Sequence, residues 1–209
     1  MALQRVVVTG IGALTPLGNS KDEFWENLVA GKSGADMITR FDASKSKTQF
    51  ACEVKNFNVA DHLDRREARR ADPFVHYALV GSDEAIKDSN LDLDTVNKDR
   101  VGVIWAAGIG GLTTFEEEII SFANREDGVP KFSPFFIPKM IVDISAGLIS
   151  IRHGLRGPNF STVSACASST NALIDAHNYI RLGKADAIVT GGSEASVTVS
   201  GIGGFNSMK

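Results

Sequence analysis

Apolar and polar positions alternate along the chain in blocks that read in turn as strand and helix. Residues 4–9 place Val6, Val7 and Val8 in a row and stop at Gly10, a strand pattern. Ser20 and Glu23 then stand at capping-box spacing ahead of Phe24, Trp25, Leu28 and Val29, which predicts a helix ending before Gly31. From 36 to 57 the pattern is mixed, with short β-prone pieces at 37–39 and 50–54, and an irregular excursion is expected. Asp72 followed by Pro73 supplies a helix cap and a first helical residue, and 74–87 has small or apolar residues on most faces, predicting a deeply buried helix.

The second half of the chain repeats the alternation. Residues 100–107 are almost continuously apolar and run into Gly108-Ile-Gly-Gly111, after which Thr113 or Thr114 can cap a helix bearing Phe115, Ile119 and Phe122. Pro130, Pro134 and Pro138 punctuate a loop, 141–151 reads as a buried helix, and 160–164 as a short strand. A helix over 168–182 and a strand over 185–190 follow, the strand ending at Gly191-Gly192. Continuous rather than alternating apolar strands, separated by helices, predict a largely parallel sheet covered on both faces, an α/β fold. No fixed-period repeat or low-complexity segment interrupts this pattern.

Composition narrows the class. At 209 residues and 43% hydrophobic, the chain can bury a substantial core, with one domain as the default. A formal charge of −3 provides no overall basic field for nucleic acid or anionic membrane, so any basic docking surface must be local. No apolar run reaches the roughly 18 residues of a membrane span, and the first residues go straight into the strand pattern without a signal-peptide sequence, so a cytoplasmic protein is expected. Cys52 and Cys166 have neither Cys-x-x-Cys nor Cys/His spacing, and both are expected to be free thiols with no metal site.

Candidate chemistry centres on Cys166. In Ser161-Thr-Val-Ser-Ala-Cys-Ala-Ser-Ser-Thr-Asn-Ala172 the neighbours are small, leaving the sulfur open to a large group. If Ser168 or Ser169 caps the following helix, the thiol lies at the positive end of its dipole, where a thiolate is stabilised, and backbone N–H groups of the turn could hold a thioester oxyanion. A nucleophile and an inert core cysteine both remain open on the pattern alone. His62, His76, His153 and His177 show no local arrangement with it, His177 falling about three turns along the same helix. The glycines of Gly10-Ile-Gly12 begin a dinucleotide fingerprint, but Thr15 takes the place of its third glycine. Gly108-Ile-Gly-Gly111 lacks the Lys-Ser/Thr pair of a phosphate-binding loop and reads as a tight turn or close approach. The basic run 64–70 is either a solvated, ion-paired helical turn or a docking patch for an acidic partner, and Cys52 reads as structural.

Val-Val-Val-Thr-Gly-Ile-Gly-Ala-Leu-Thr-Pro-Leu-Gly near the start, Gly-Ile-Gly-Gly at 108–111, Ser-Pro-Phe-Phe-Ile-Pro at 133–138, Gly-Leu-Arg-Gly-Pro-Asn at 154–159, Ser-Ala-Cys-Ala-Ser-Ser at 164–169 and Gly-Gly-Ser-Glu-Ala at 191–195 occur together. From end to end, in this order, they resemble the N-terminal portion of the β-ketoacyl-acyl carrier protein synthases (3-oxoacyl-ACP synthases), most closely the type II condensing enzymes of bacterial fatty acid synthesis. The resemblance implies a thiolase-like fold, the first half of a duplicated, layered α/β/α/β/α architecture with a mixed, mostly parallel sheet. It implies a cytoplasmic homodimeric acyltransferase whose cysteine takes an acyl chain from acyl carrier protein as a thioester before decarboxylative condensation with malonyl carrier protein. Cys166 is then the nucleophile, its own N–H one oxyanion donor, with no cofactor beyond the carrier's phosphopantetheine. Phe205 and Phe115 match acyl-pocket positions, and Arg66, Arg69, Arg70 and Lys209 match the carrier-protein docking surface.

Members of that family are about twice this length, and the positions resembling their two active-site histidines and lysine lie in the second half. Residues 1–209 are thus expected to form the N-terminal ketoacyl synthase domain, stopping before that half, with Lys209 in a loop. Acylation of Cys166 is expected of this chain, and efficient condensation is not. The rival reading is a non-catalytic dimerisation scaffold in which 160–163 pairs across a two-fold axis; a thiol hydrolase or redox protein would need a positioned base or resolving cysteine that the sequence does not offer.

Overall fold

The computed structural model describes residues 3–208. Along the chain, helix α1 (Lys21–Val29) precedes the short strands β1 (Asp36–Met37) and β2 (Phe50–Ala51), then helices α2 (Arg65–Arg69) and α3 (Pro73–Asp88). Strand β3 (Val101–Ala106), helices α4 (Leu112–Ala123), α5 (Phe136–Met140) and α6 (Ile144–His153), strand β4 (Asn159–Phe160), helix α7 (Ser168–Arg181), strand β5 (Ala187–Gly192) and helix α8 (Val199–Ser207) follow. The chain divides into two compact units. One comprises the start through Ala13, Phe74–Ile109 and Val142–Glu194; the other comprises Leu14–Pro73, Gly110–Ile141 and the stretch from Ala195.

The first unit is built on a three-stranded parallel sheet of order β4-β3-β5. Val103 and Ile104 pair with Asn159 and Phe160, and Val101 to Ala106 pair in step with Ala187 to Gly192. All six residues of β3 are buried, so both of its faces are covered, as the continuous apolar run requires. Ile104 and Ala106 pack on Ala172 and Ala176 of α7, with Phe160, Tyr179 and Ile188 around them. Alanines on the helix and Gly192 on the strand permit this close approach: a Cβ on Gly192 would lie 2.1 Å from the Ser169 hydroxyl. Helix α6 packs against β3 and β4 and ends at Gly154, whose φ of 68° is the left-handed cap expected of glycine.

Residues 4–9 do not form the expected strand; among the described residues no strand pairs with them. The segment that follows is instead pressed onto α3, where Gly12 faces the Gly81 carbonyl so closely that a Cβ would stand 2.0 Å from it. The Ile11 and Ala13 amides donate to Asp88 and Glu84 on that helix. Helix α3 itself is as buried as its composition implies, with Phe74, Val75, Ala78 and Leu79 almost wholly enclosed. Strand β4 is shorter than the run 160–164 suggested, because the chain leaves the sheet at Ser161 for the turn that carries Cys166.

In the second unit half of the capping box forms as read, the Ser20 hydroxyl accepting from the Glu23 amide, while the Glu23 carboxylate reaches one residue past the cap and accepts from the Asn19 amide. The two β-prone pieces become an antiparallel pair, Asp36 opposite Ala51 and Met37 opposite Phe50. Neither Thr113 nor Thr114 caps α4, whose N-cap residue is Gly111. The Asp72 carboxylate serves its first turn instead, accepting from the Thr114 amide and hydroxyl at 2.8 and 2.6 Å, wholly out of solvent. The proline-rich stretch is not all loop, since 136–140 closes into α5 with Pro138 inside it. Residues 199–207 form a helix that the sequence reading did not foresee, capped by the Thr198 hydroxyl on the Gly201 amide. Lys209 lies outside the described residues.

Candidate active site

Cys166 sits in a single 3-10 turn, Ala165–Ala167, that joins directly onto α7 and follows β4 by a few residues. It is exposed, so it is not the inert core cysteine that its sequence alone left open. The fourteen residues of α7 direct the positive end of their summed peptide dipoles toward it. Ala167 is the N-cap residue of α7, not Ser168 or Ser169, and caps nothing with its methyl group.

The turn depends on an uncommon backbone. Ala165 has φ of 51°, in the left-handed region where a Cβ costs about 1–2 kcal/mol. The side chain of Ser168, 3% exposed, holds it on both sides: its hydroxyl accepts from the Ser164 amide at 2.8 Å and donates to the Ala165 carbonyl at 2.7 Å. The Ser168 amide donates to that carbonyl as well. Asn171 donates to the Ser164 hydroxyl, and Thr162 donates to the Ser168 carbonyl. Gly108, at the end of β3, meets the same carbonyl; a Cβ there would stand 3.2 Å from the Ala165 oxygen. Gly108 and Ile109 both donate to the Glu194 carboxylate at 2.8 Å. The small residues of Ser-Ala-Cys-Ala-Ser-Ser and of Gly-Ile-Gly-Gly are thus the ones that let the two turns touch.

The remaining candidates stand in the second unit. Phe115 lies on α4 and Phe205 on α8, 44% and 59% exposed. Phe115 stacks on Phe136 of α5, which in turn stacks on Phe132. Helices α4 and α8 are tied by the Glu116 carboxylate, which accepts from the amide and hydroxyl of Ser200. Burial pushes the Glu116 carboxyl up, but bonds from Ser200, Thr198 and Val199 outweigh it and hold it below the usual carboxylate range. Arg66, Arg69 and Arg70 are exposed on and just after α2, which Asp64 caps by accepting from the Arg66 and Glu67 amides. The Arg70 guanidinium lies 5.2 Å from the centre of the Phe135 ring, a cation–π contact.

Two of the histidines, His62 and His153, have other partners. His153 is 2.8 Å from Asp83, His62 stacks on Phe57, and His177 is exposed on α7 well beyond the Cys166 turn. Cys52 is exposed next to β2 and so is not a core thiol, while its neighbour Glu53 is buried and accepts from Thr39 and Arg40. Asn171 and Glu194 have no assigned part in the sequence reading, and Ser168, expected as a possible cap of α7, instead bonds the backbone on both sides of Ala165. The signal available for them was the hydroxyl-rich run around Cys166 and the Gly-Gly-Ser-Glu-Ala segment.

Three kinds of similarity bear on this turn. The chain is 45% identical over 206 residues to 3-oxoacyl-[acyl-carrier-protein] synthase 2 of Staphylococcus aureus (strain COL), covering 99% of this chain and 49% of that protein. It is 43% identical to the protein of the same name from a Synechocystis species, again over 99% of this chain and 49% of the relative. The chain therefore spans about half the length of the curated relatives it matches. Among solved structures, the ishigamide ketosynthase/chain length factor superposes with a TM-score of 0.85 at 24% identity, covering 99% of this chain and 51% of that one. A β-ketoacyl synthase from Burkholderia phymatum STM815 gives 0.83 at 23% identity, over 99% and 50%. A type II PKS ketosynthase in complex with its acyl-carrier protein gives 0.83 at 22% identity, over 98% and 55%. These structures establish the ketosynthase, thiolase-like fold. The family model described as "Beta-ketoacyl synthase, N-terminal domain" matches residues 3–209, and with it the chain belongs to the β-ketoacyl synthase family.

Proposed function

We propose that this chain supplies the nucleophile-bearing half of a condensing enzyme of fatty acid elongation, with Cys166 accepting the acyl group. The observation that carries this reading is an exposed thiol at the amino end of a fourteen-residue helix, on a turn built from small residues. The Cys166 sulfur attacks an acyl thioester carbonyl; a new C–S bond forms, the donor C–S bond breaks, and the departing pantetheine thiolate takes up the proton that Cys166 gives up. The N–H of Cys166 donates to the oxyanion of the tetrahedral intermediate. In the whole protein, decarboxylation of a malonyl thioester would then furnish the carbanion that displaces the sulfur and leaves a 3-oxoacyl product.

The donor is an acyl carrier protein, an acidic partner for which the exposed Arg66, Arg69 and Arg70 offer complementary charge. Phe115 and Phe205, exposed aromatics on α4 and α8, are the proposed apolar contacts of the acyl chain. The names of the curated relatives support this reading.

Incubation with an acyl-pantetheine thioester followed by peptide mass mapping tests it. The expected result is one acyl mass on the peptide holding Cys166, absent from Cys166→Ala and unaffected by Cys52→Ala. Because both cysteines are exposed, the mapping is essential. An adduct confined to Cys52, or none on folded protein, would overturn the assignment.

A further inference from the structure

We infer that Ser168 is a positioning residue for acyl transfer, aiming the Cys166 N–H at the oxyanion through the peptide that joins Ala165 to Cys166. A trans peptide is planar, and its C=O and N–H point in opposite directions. Whatever fixes the Ala165 carbonyl therefore fixes the direction of the Cys166 N–H. That carbonyl receives two donors from one residue, the Ser168 hydroxyl at 2.7 Å and the Ser168 amide. The same hydroxyl accepts from the Ser164 amide, so a single side chain clamps the backbone on both sides of Ala165.

The clamp is needed because Ala165 holds φ of 51°, a conformation that a residue with a Cβ leaves unless its surroundings enforce it. Ser168 is enclosed at 3% exposure while Cys166 is exposed, which separates the residue that orients the turn from the residue that reacts. Solvent does not compete for the hydroxyl, and its bonds keep one geometry. Gly108 backs the same carbonyl from β3, and its own amide and that of Ile109 are held by Glu194. Loss of the Ser168 hydroxyl leaves the Ala165 oxygen to the weaker constraint of the helix amide.

This inference rests on Cys166 being the acyl acceptor, and its test separates the two. Two reactions of Cys166 are measured on the 209-residue chain: acyl transfer from an acyl-pantetheine thioester, which passes through an oxyanion, and alkylation by iodoacetamide, which does not. Removing an oxyanion donor altogether costs roughly a hundredfold or more in other acyl transfers, so a misaimed one is expected to cost about tenfold. Ser168→Ala should lower the saturating acyl-transfer rate about tenfold or more, with the half-saturating thioester concentration and the alkylation rate each within about twofold. Ser168→Thr, which keeps the hydroxyl, should recover most of the rate. Equal slowing of both reactions would show a merely loosened turn and overturn the inference, as would Ser168→Ala acylating at the wild-type rate. A wild-type chain that is alkylated at Cys166 but takes no acyl group there would overturn the acceptor reading itself, and the Ser168 role with it.

Discussion

A single buried carboxylate shows how far one residue's role can depart from its local sequence. Asp72 precedes Pro73 and reads as the cap of α3, yet its Oδ2 also receives the amide and hydroxyl of Thr114, forty-two residues later in the chain. Removing it leaves two buried donors on α4 without their acceptor, and an unsatisfied buried group costs about 1–3 kcal/mol. Asp72→Ala is expected to lower the unfolding free energy by at least that amount, read from urea titration, and Thr114→Val by less, since the Thr114 amide keeps its acceptor. Cys166 shows the opposite balance. Its small neighbours and following helix pattern were sufficient to mark it, because helix dipoles and steric openness are local properties. The left-handed Ala165 was not legible, since an alanine carries no sequence signal for positive φ.

At the scale of elements, the helices with strong caps and periodicity formed where expected, and the valine-rich start did not form its strand. A strand needs a ladder partner as well as β-branched residues, and the amides of Ile11 and Ala13 find carboxylates on α3 instead. Close approach there requires glycine at position 12, facing the Gly81 carbonyl. Gly12→Ala should push the segment away from α3, destabilise the chain by about 1–3 kcal/mol as overpacking does, and speed hydrogen exchange at the Ile11 and Ala13 amides. A variant with wild-type exchange at both amides would show that the segment tolerates the methyl group. Helix α8 carries little local signal for a related reason: its glycines weaken its intrinsic propensity, and its first turn takes a carboxylate from Glu116 on α4.

For the molecule as a whole, acid stability is expected to depend on Asp83. Burial pushes its carboxyl up, but bonds from His153 and Arg152 outweigh burial and hold it below its ordinary value of 3.8. The unfolded carboxyl then binds a proton at higher pH than the folded one, so the stabilisation is present above that ordinary value and is lost as pH falls through the folded pKa. Thermal melts taken from about pH 6 down to about pH 2 should show a decline that Asp83→Asn flattens, and an equally steep decline in that variant would exclude Asp83 as its source. The α/β alternation, the buried central strand, most helix positions and Cys166 as the residue to test were legible in the residues themselves, since periodicity and turn chemistry act within a few positions. Folding at long range decided that 4–9 would join no sheet, that Asp72 would serve α4, and that Gly108 and Glu194 would back the Cys166 turn. Those outcomes depend on which backbone groups meet across long stretches of chain, and hydrogen-bond partners so distant leave no local pattern to read.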